Sequence, residues 1–93
     1  MKLHTIRLGE PWERTDLGGG HTRHRRRFGR PRTLDATERL WLVCDRPVAV
    51  VLNGVELGAC ERFDITDHLQ PRNELVIEAG ELGAVVLEVW TVA

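Results

Sequence analysis

Ninety-three residues, 42% of them hydrophobic and 29% charged, have the composition of a soluble globular protein. A chain of this size buries roughly 60–70% of the surface its unfolded form exposes, so a core without metal or disulfide staples is within reach and wholesale disorder is excluded. The net charge of −1 is split along the chain: residues 1–32 hold nine basic and three acidic side chains, residues 33–93 four and eleven.

Lys2–Leu8 is the first expected strand. It sets Leu3, Thr5 and Arg7 on one side against His4, Ile6 and Leu8 on the other, and Gly9 and Pro11 end it. Trp12–Gly20 reads as loop, because three consecutive glycines oppose regular structure. His21–Phe28 lacks apolar periodicity, but glycines bracket it. It is expected as a strand whose arginine stems lie over a sheet face and whose Phe28 enters the core.

Glu38–Asp45 places Leu40, Leu42 and Cys44 on one face and Trp41 and Val43 on the other; two apolar faces mark a central strand. Pro47–Asn53 is nearly all apolar, and the short link Asp45-Arg46-Pro47 predicts a hairpin between the two runs. Asn53-Gly54 is the sharpest turn signal, since a type I′ turn needs positive φ at both central residues. Val55–Gly58 then returns as a short arm that Gly58 ends. Glu61–Thr66 points Phe63 and Ile65 inward, and Thr66 or Asp67 is expected to cap one helical turn carrying Leu69 inward. Pro71 opens a turn into a strand with Leu75 and Ile77 inside. The final strand, Ala84–Ala93, sets Val85, Leu87 and Val89 against Val86, Glu88 and Trp90. About eight short antiparallel strands with regular turn signals predict an all-β fold, a β-sandwich or barrel, as one domain over residues 1–93.

Three segments resemble a known family: RRRFGRP (25–31), ERLWLVCDRPVAVVLNGVELG (38–58) and FDITDHLQPRNELVIE (63–78). They are similar to the sugar-binding domain of glycoside hydrolase family 2 enzymes, over roughly residues 20–90. The resemblance implies a jelly-roll β-sandwich, galactose-binding-like, and carbohydrate as the ligand class. That domain is usually longer and joined to a catalytic barrel, so this chain is expected to be a short stand-alone version, with the loop after Gly58 reduced to Ala59–Arg62. Within the motif, Asp64, Thr66 and Asn73 each have a structural reading: local backbone bonding, capping and holding a turn.

Chemistry is sparse. No pair of the fourteen carboxylates stands out, and no phosphate-loop pattern occurs. His21 and His24, three apart on a strand, point to opposite faces and chelate poorly. Cys44 is expected buried and inert, with Cys60 a separate thiol, although one bridge between them stays open. No enzyme activity, metal or cofactor is expected. His21–Arg32 holds six arginines in twelve residues. Their plain reading is pairing with acidic residues such as Asp45, Glu74, Glu78 or Glu88 across the sheet; their sharper one is ligand contact.

The candidate binding residues are Trp12, His21, Arg25, Arg27 and Trp90, with Trp12 foremost as a sugar platform and Trp41 assigned to the core. The favoured function is a non-catalytic carbohydrate-binding module. The rivals are a protein-interaction or homodimerisation domain without sugar binding, and nucleic-acid binding through the arginine strand. Without a signal-peptide pattern or an 18-residue apolar run, a cytoplasmic location away from membranes is expected.

Overall fold

Inward and outward side chains alternate along most of the chain, and this period of two sets the architecture. The computed structural model describes residues 1–31 and 33–91. Seven strands follow one another: β1 (Lys2–Arg7), β2 (Glu13–Gly18), β3 (His21–Gly29), β4 (Glu38–Leu52), β5 (Val55–Asp64), β6 (Arg72–Ala79) and β7 (Val85–Thr91), with one 3-10 turn at Thr66–His68. All pair antiparallel, in the order β1-β7-β4-β6-β3-β2, with β5 added on β4. The expected all-β sandwich is what the chain forms.

The link between the layers is β4. Its first half, Glu38–Cys44, pairs with β7, and its last residues, Ala49–Leu52, pair with β6. The sheet therefore divides and curls on itself, with β1 and β7 in one layer and β6, β3 and β2 in the other. Leu40, Leu42, Leu87 and Val89 from the first meet Val50, Leu52, Leu75 and Ile77 from the second, none more than 1% exposed. Each such side chain contributes roughly 1.5–3 kcal/mol by leaving water.

Four expectations are corrected. Glu38–Asp45 and Pro47–Asn53 are not a hairpin but one continuous bent strand, which lowers the count from about eight to seven. The bend falls at a register shift between Val43 and Val48. Leu40, Leu42, Cys44, Val48, Val50 and Leu52 keep the same inward parity across it, so no reversal is needed. The arm after Asn53-Gly54 is not short. β5 runs on to Asp64, absorbing the strand expected at Glu61–Thr66, and Gly58 (φ 92°) is a bulge opposite Val50 rather than its end. Glu13–Gly18 is a strand, not a loop: its ladder to β3 needs no apolar residues, and the glycines form the reversal behind it. The 3-10 turn has no side-chain cap; Asp64 instead accepts the Thr66 N–H at 3.1 Å and hydroxyl at 2.7 Å. Val92 and Ala93, assigned to the last strand, and Arg32 of the arginine run lie outside the described residues.

The turn at Asn53-Gly54 is as expected, with φ of 52° and 80°. Around it the motif residues form a structural network. Asn73, 2% exposed, accepts from Asn53 Nδ2 (3.0 Å) and the Gln70 N–H (2.9 Å) and donates to the carbonyls of Gln70 (2.9 Å) and Phe28 (3.3 Å). Asn53 also donates to the His68 carbonyl and accepts the Glu74 N–H, both at 2.9 Å. Thr66 Oγ1 accepts the Leu40 N–H at 2.7 Å, tying the turn to β4. Burial alone would raise the Asp64 carboxyl. Hydrogen bonds from Arg39 (2.9 Å) and Thr66 outweigh it and hold Asp64 below the ordinary value.

The two cysteines are unbridged, with Cys44 buried and Cys60 exposed. Burial pushes the Cys44 thiol up to about 11, with Asp45 adding to the effect. Titration of the native protein with a thiol reagent at neutral pH is expected to label Cys60 alone. Cys44 should react only after unfolding in urea; equal labelling of both in the native state would contradict its place in the core.

Candidate functional site

The five residues singled out in the sequence do not converge. Trp12 follows the Gly9–Pro11 corner and packs into the core, 7% exposed, its indole N–H donating to the Leu8 carbonyl at 3.2 Å. It is not an open platform: the corner after β1 turns the ring inward. Beside it in a cleft bounded by Gly80–Val85 lies His24, 3% exposed. Neither ring nitrogen of His24 has a hydrogen-bond partner among the described residues. His21 is exposed at the start of β3.

The arginines largely follow their plain reading. Register places Arg23 opposite Glu78 and Arg27 opposite Glu74 on β6, with N–O separations of 2.9 and 3.6 Å. Arg25 takes Glu13 of β2 at 2.5 Å rather than a residue of the acidic half. Arg26 donates to the Gly9 carbonyl at 2.7 Å. Glu88 and Asp45, also expected as partners of this run, are engaged elsewhere: Glu88 by Lys2 and Arg62, Asp45 by Arg46 and the Ala84 N–H. Arg27 is the most open of the strand's ion-paired arginines and lines a groove with Gln70 and Arg72.

Trp90 belongs to a different surface, the outer face of the β7–β4 layer. Strand alternation sends Glu88 and Trp90 of β7 and Trp41 of β4 outward, and register sets Trp41 opposite Glu88. Trp41, expected in the core, is thus half-buried on this face. The Arg62 guanidinium from β5 lies over both rings, 5.1 Å from the centroid of Trp41 and 5.7 Å from that of Trp90. Glu88 sits between them, 8% exposed, accepting the Trp90 indole N–H at 3.0 Å and facing Arg62 at 3.4 Å and Lys2 at 3.6 Å. Burial on its own would raise the Glu88 carboxyl; the Trp90 bond and the charges of Lys2 and Arg62 prevail and hold it below the ordinary value.

Two indole faces, one ordered carboxylate and one guanidinium thus share a small patch. Such a patch can stack an apolar ring face and hydrogen-bond the polar groups around it. Trp41, Arg62 and Glu88 were not among the sequence candidates. The alternation of β4 and β7 places each on a face, but pairing β4 with β5 and β7 is a register that sequence alone does not fix. Among the described residues no group of three His, Cys, Asp or Glu side chains is placed to hold a metal, and no helix is long and apolar enough to cross a membrane.

No protein-family model matches the sequence, and no curated protein matches it. Among solved structures, the chain is similar to the FMN-binding beta-glucuronidase from Facaelibacterium prausnitzii L2-6, with a TM-score of 0.67 and 20% sequence identity. The match covers 91% of this chain and 22% of that one, so the chain spans about a fifth of the enzyme's length. What the two share is the fold.

Proposed function

We propose that this chain is a non-catalytic carbohydrate-binding module, a galactose-binding-like domain of the kind that accompanies glycoside hydrolases, with Trp41 and Trp90 as its sugar platform. The observation that carries the reading is the outer patch, where two half-buried indoles flank the ordered Glu88 carboxylate. Support comes from the fold, which a beta-glucuronidase contains as a segment, and from the resemblance of the motif residues. A pyranose lays its C–H face on an indole while its hydroxyls meet Glu88 and Arg62. Arg62 is the movable part: at an exposed site its stacking is worth about 0.5–1 kcal/mol, little enough for a sugar ring to displace it.

Trp12 is buried away from this patch, so a ligand-induced change in tryptophan emission is expected to arise from Trp41 and Trp90. Titration with a panel of neutral oligosaccharides is expected to give a saturable shift or quench that Trp90→Ala abolishes. No change with any glycan, together with a dimer by light scattering, would support the rival interaction-domain reading instead.

A further inference from the structure

We infer that the groove at the turn end of β3 and β6 is an anion site, built for the carboxylate, sulfate or phosphate group of a small ligand. The groove is an open depression of about 640 Å³, large enough to seat a small ligand. Arg27, Gln70 and Arg72 line it together with Asn53 and the buried Asn73.

Three features separate this groove from a merely solvated basic edge. The first is charge. Arg27 and Arg72 line it with one carboxylate, Glu74, which reaches Arg27 only at 3.6 Å and leaves that side chain 74% exposed. Arg72 makes no hydrogen bond or ion pair among the described residues, and neither does the Gln70 amide. The second is rigidity. Asn73 has both donors and both acceptor positions engaged internally, and it pins Gln70 and Phe28 by their backbones. The backbone that carries Phe28 and Gln70 beside the groove is therefore held in place. The third is shape: a guanidinium fork presents parallel N–H groups that match an oxyanion in two-point contact.

The ligand is small rather than a nucleic acid. A phosphate backbone needs a row of available cations, but Arg23 is held by Glu78 and Arg25 by Glu13 along the same strand. No exposed ring lines the groove for a base to stack on, since Phe28 is buried. The site lies on the other layer from Trp41 and Trp90, so it stands independently of the sugar platform.

The test is an amide chemical-shift titration of the whole chain at constant ionic strength, with sodium phosphate, sodium glucuronate, glucose and a single-stranded DNA oligonucleotide as separate probes. Phosphate and glucuronate are expected to shift the amides of Gly29, Gln70 and Asn73 saturably, while glucose leaves them unmoved. The tighter of the two anions identifies the source of the oxyanion. Arg72→Gln, an exposed change, should weaken anion binding at least tenfold, and Arg46→Gln, at the opposite end of the sandwich, should leave it unchanged. Unsaturable shifts, equal losses in both variants, equal shifts with glucose, or tighter oligonucleotide binding along Arg23 and Arg25 would each overturn the assignment. None of these depends on tryptophan emission, so the anion site and the sugar platform fail separately.

Discussion

Asn73→Ala is expected to lower the unfolding free energy by about 3–5 kcal/mol, because each lost bond is worth about 1 kcal/mol and each buried group left unpaired costs a further ~1–3 kcal/mol. The side chain is 2% exposed and makes four hydrogen bonds, two as acceptor and two as donor. Alanine leaves the Phe28 carbonyl and both backbone groups of Gln70 without these partners, while Asn53 Nδ2 keeps the His68 carbonyl. Urea denaturation followed by circular dichroism measures the loss. Asn73→Asp refines the test. Its carboxylate still accepts two bonds but sets a second oxygen against the Gln70 and Phe28 carbonyls. Only the protonated form can donate there, so the folded state raises that carboxyl above its unfolded value. The variant's stability relative to wild type is therefore best below the unfolded pKa, about 3.9, and falls as pH rises through the folded one. A deficit for Asn73→Asp that is flat between pH 3.5 and 7, or an Asn73→Ala loss under 1 kcal/mol, would show that the network does not hold this end together.

That network was legible in part. The Asn53-Gly54 turn, the local bonds of Asp64 and the hold of Asn73 on Gln70 could be read. The reach of Asn73 to Asn53 and Phe28 and of Thr66 to Leu40, in contrast, spans 20, 45 and 26 residues. The pairing of the arginines with Glu74 and Glu78 was legible for a similar reason, since a basic strand in a sheet seeks acidic neighbours. What escaped was whatever lacked an apolar pattern or depended on register. β2 carries ERTDLG, all exposed, and is held by its ladder and by ion pairs such as Glu13–Arg25. Asp45-Arg46-Pro47 resembles a turn in composition, yet it carries no glycine or asparagine, and β5 runs alongside both halves of β4. Trp41 was assigned to the core from an apolar face that proves to be the outer one. On that face the Arg62 guanidinium lies over the Trp41 and Trp90 rings, and no spacing in the sequence shows that residues 41, 62 and 90 meet.

Trp12 and Trp90 should respond in opposite ways to the same change, and this separates a core indole from a platform. Trp12→Ala empties the space beside Leu8 and removes the N–H bond to its carbonyl. Large aromatic deletions of this kind cost about 3–5 kcal/mol, so a marked drop in the urea midpoint is expected, with sugar response retained in the fraction that stays folded. Trp12→Phe keeps most of the packing and loses one buried bond, about 0.5–1.5 kcal/mol. Trp90→Ala removes a half-buried ring whose N–H partner, Glu88, keeps Lys2 and Arg62; the expected loss is about 1–2 kcal/mol, smaller than for Trp12→Ala, but the sugar response disappears. His24→Leu sharpens the reading of the cleft that Trp12 shares. It replaces two buried nitrogens that have no hydrogen-bond partner among the described residues with an apolar side chain, so no protein hydrogen bond is lost and the urea midpoint is expected to hold or rise. The opposite pattern, a Trp12→Ala variant that unfolds like wild type but no longer answers to sugar, would move the platform from the outer face of β7 and β4 to the cleft at Trp12.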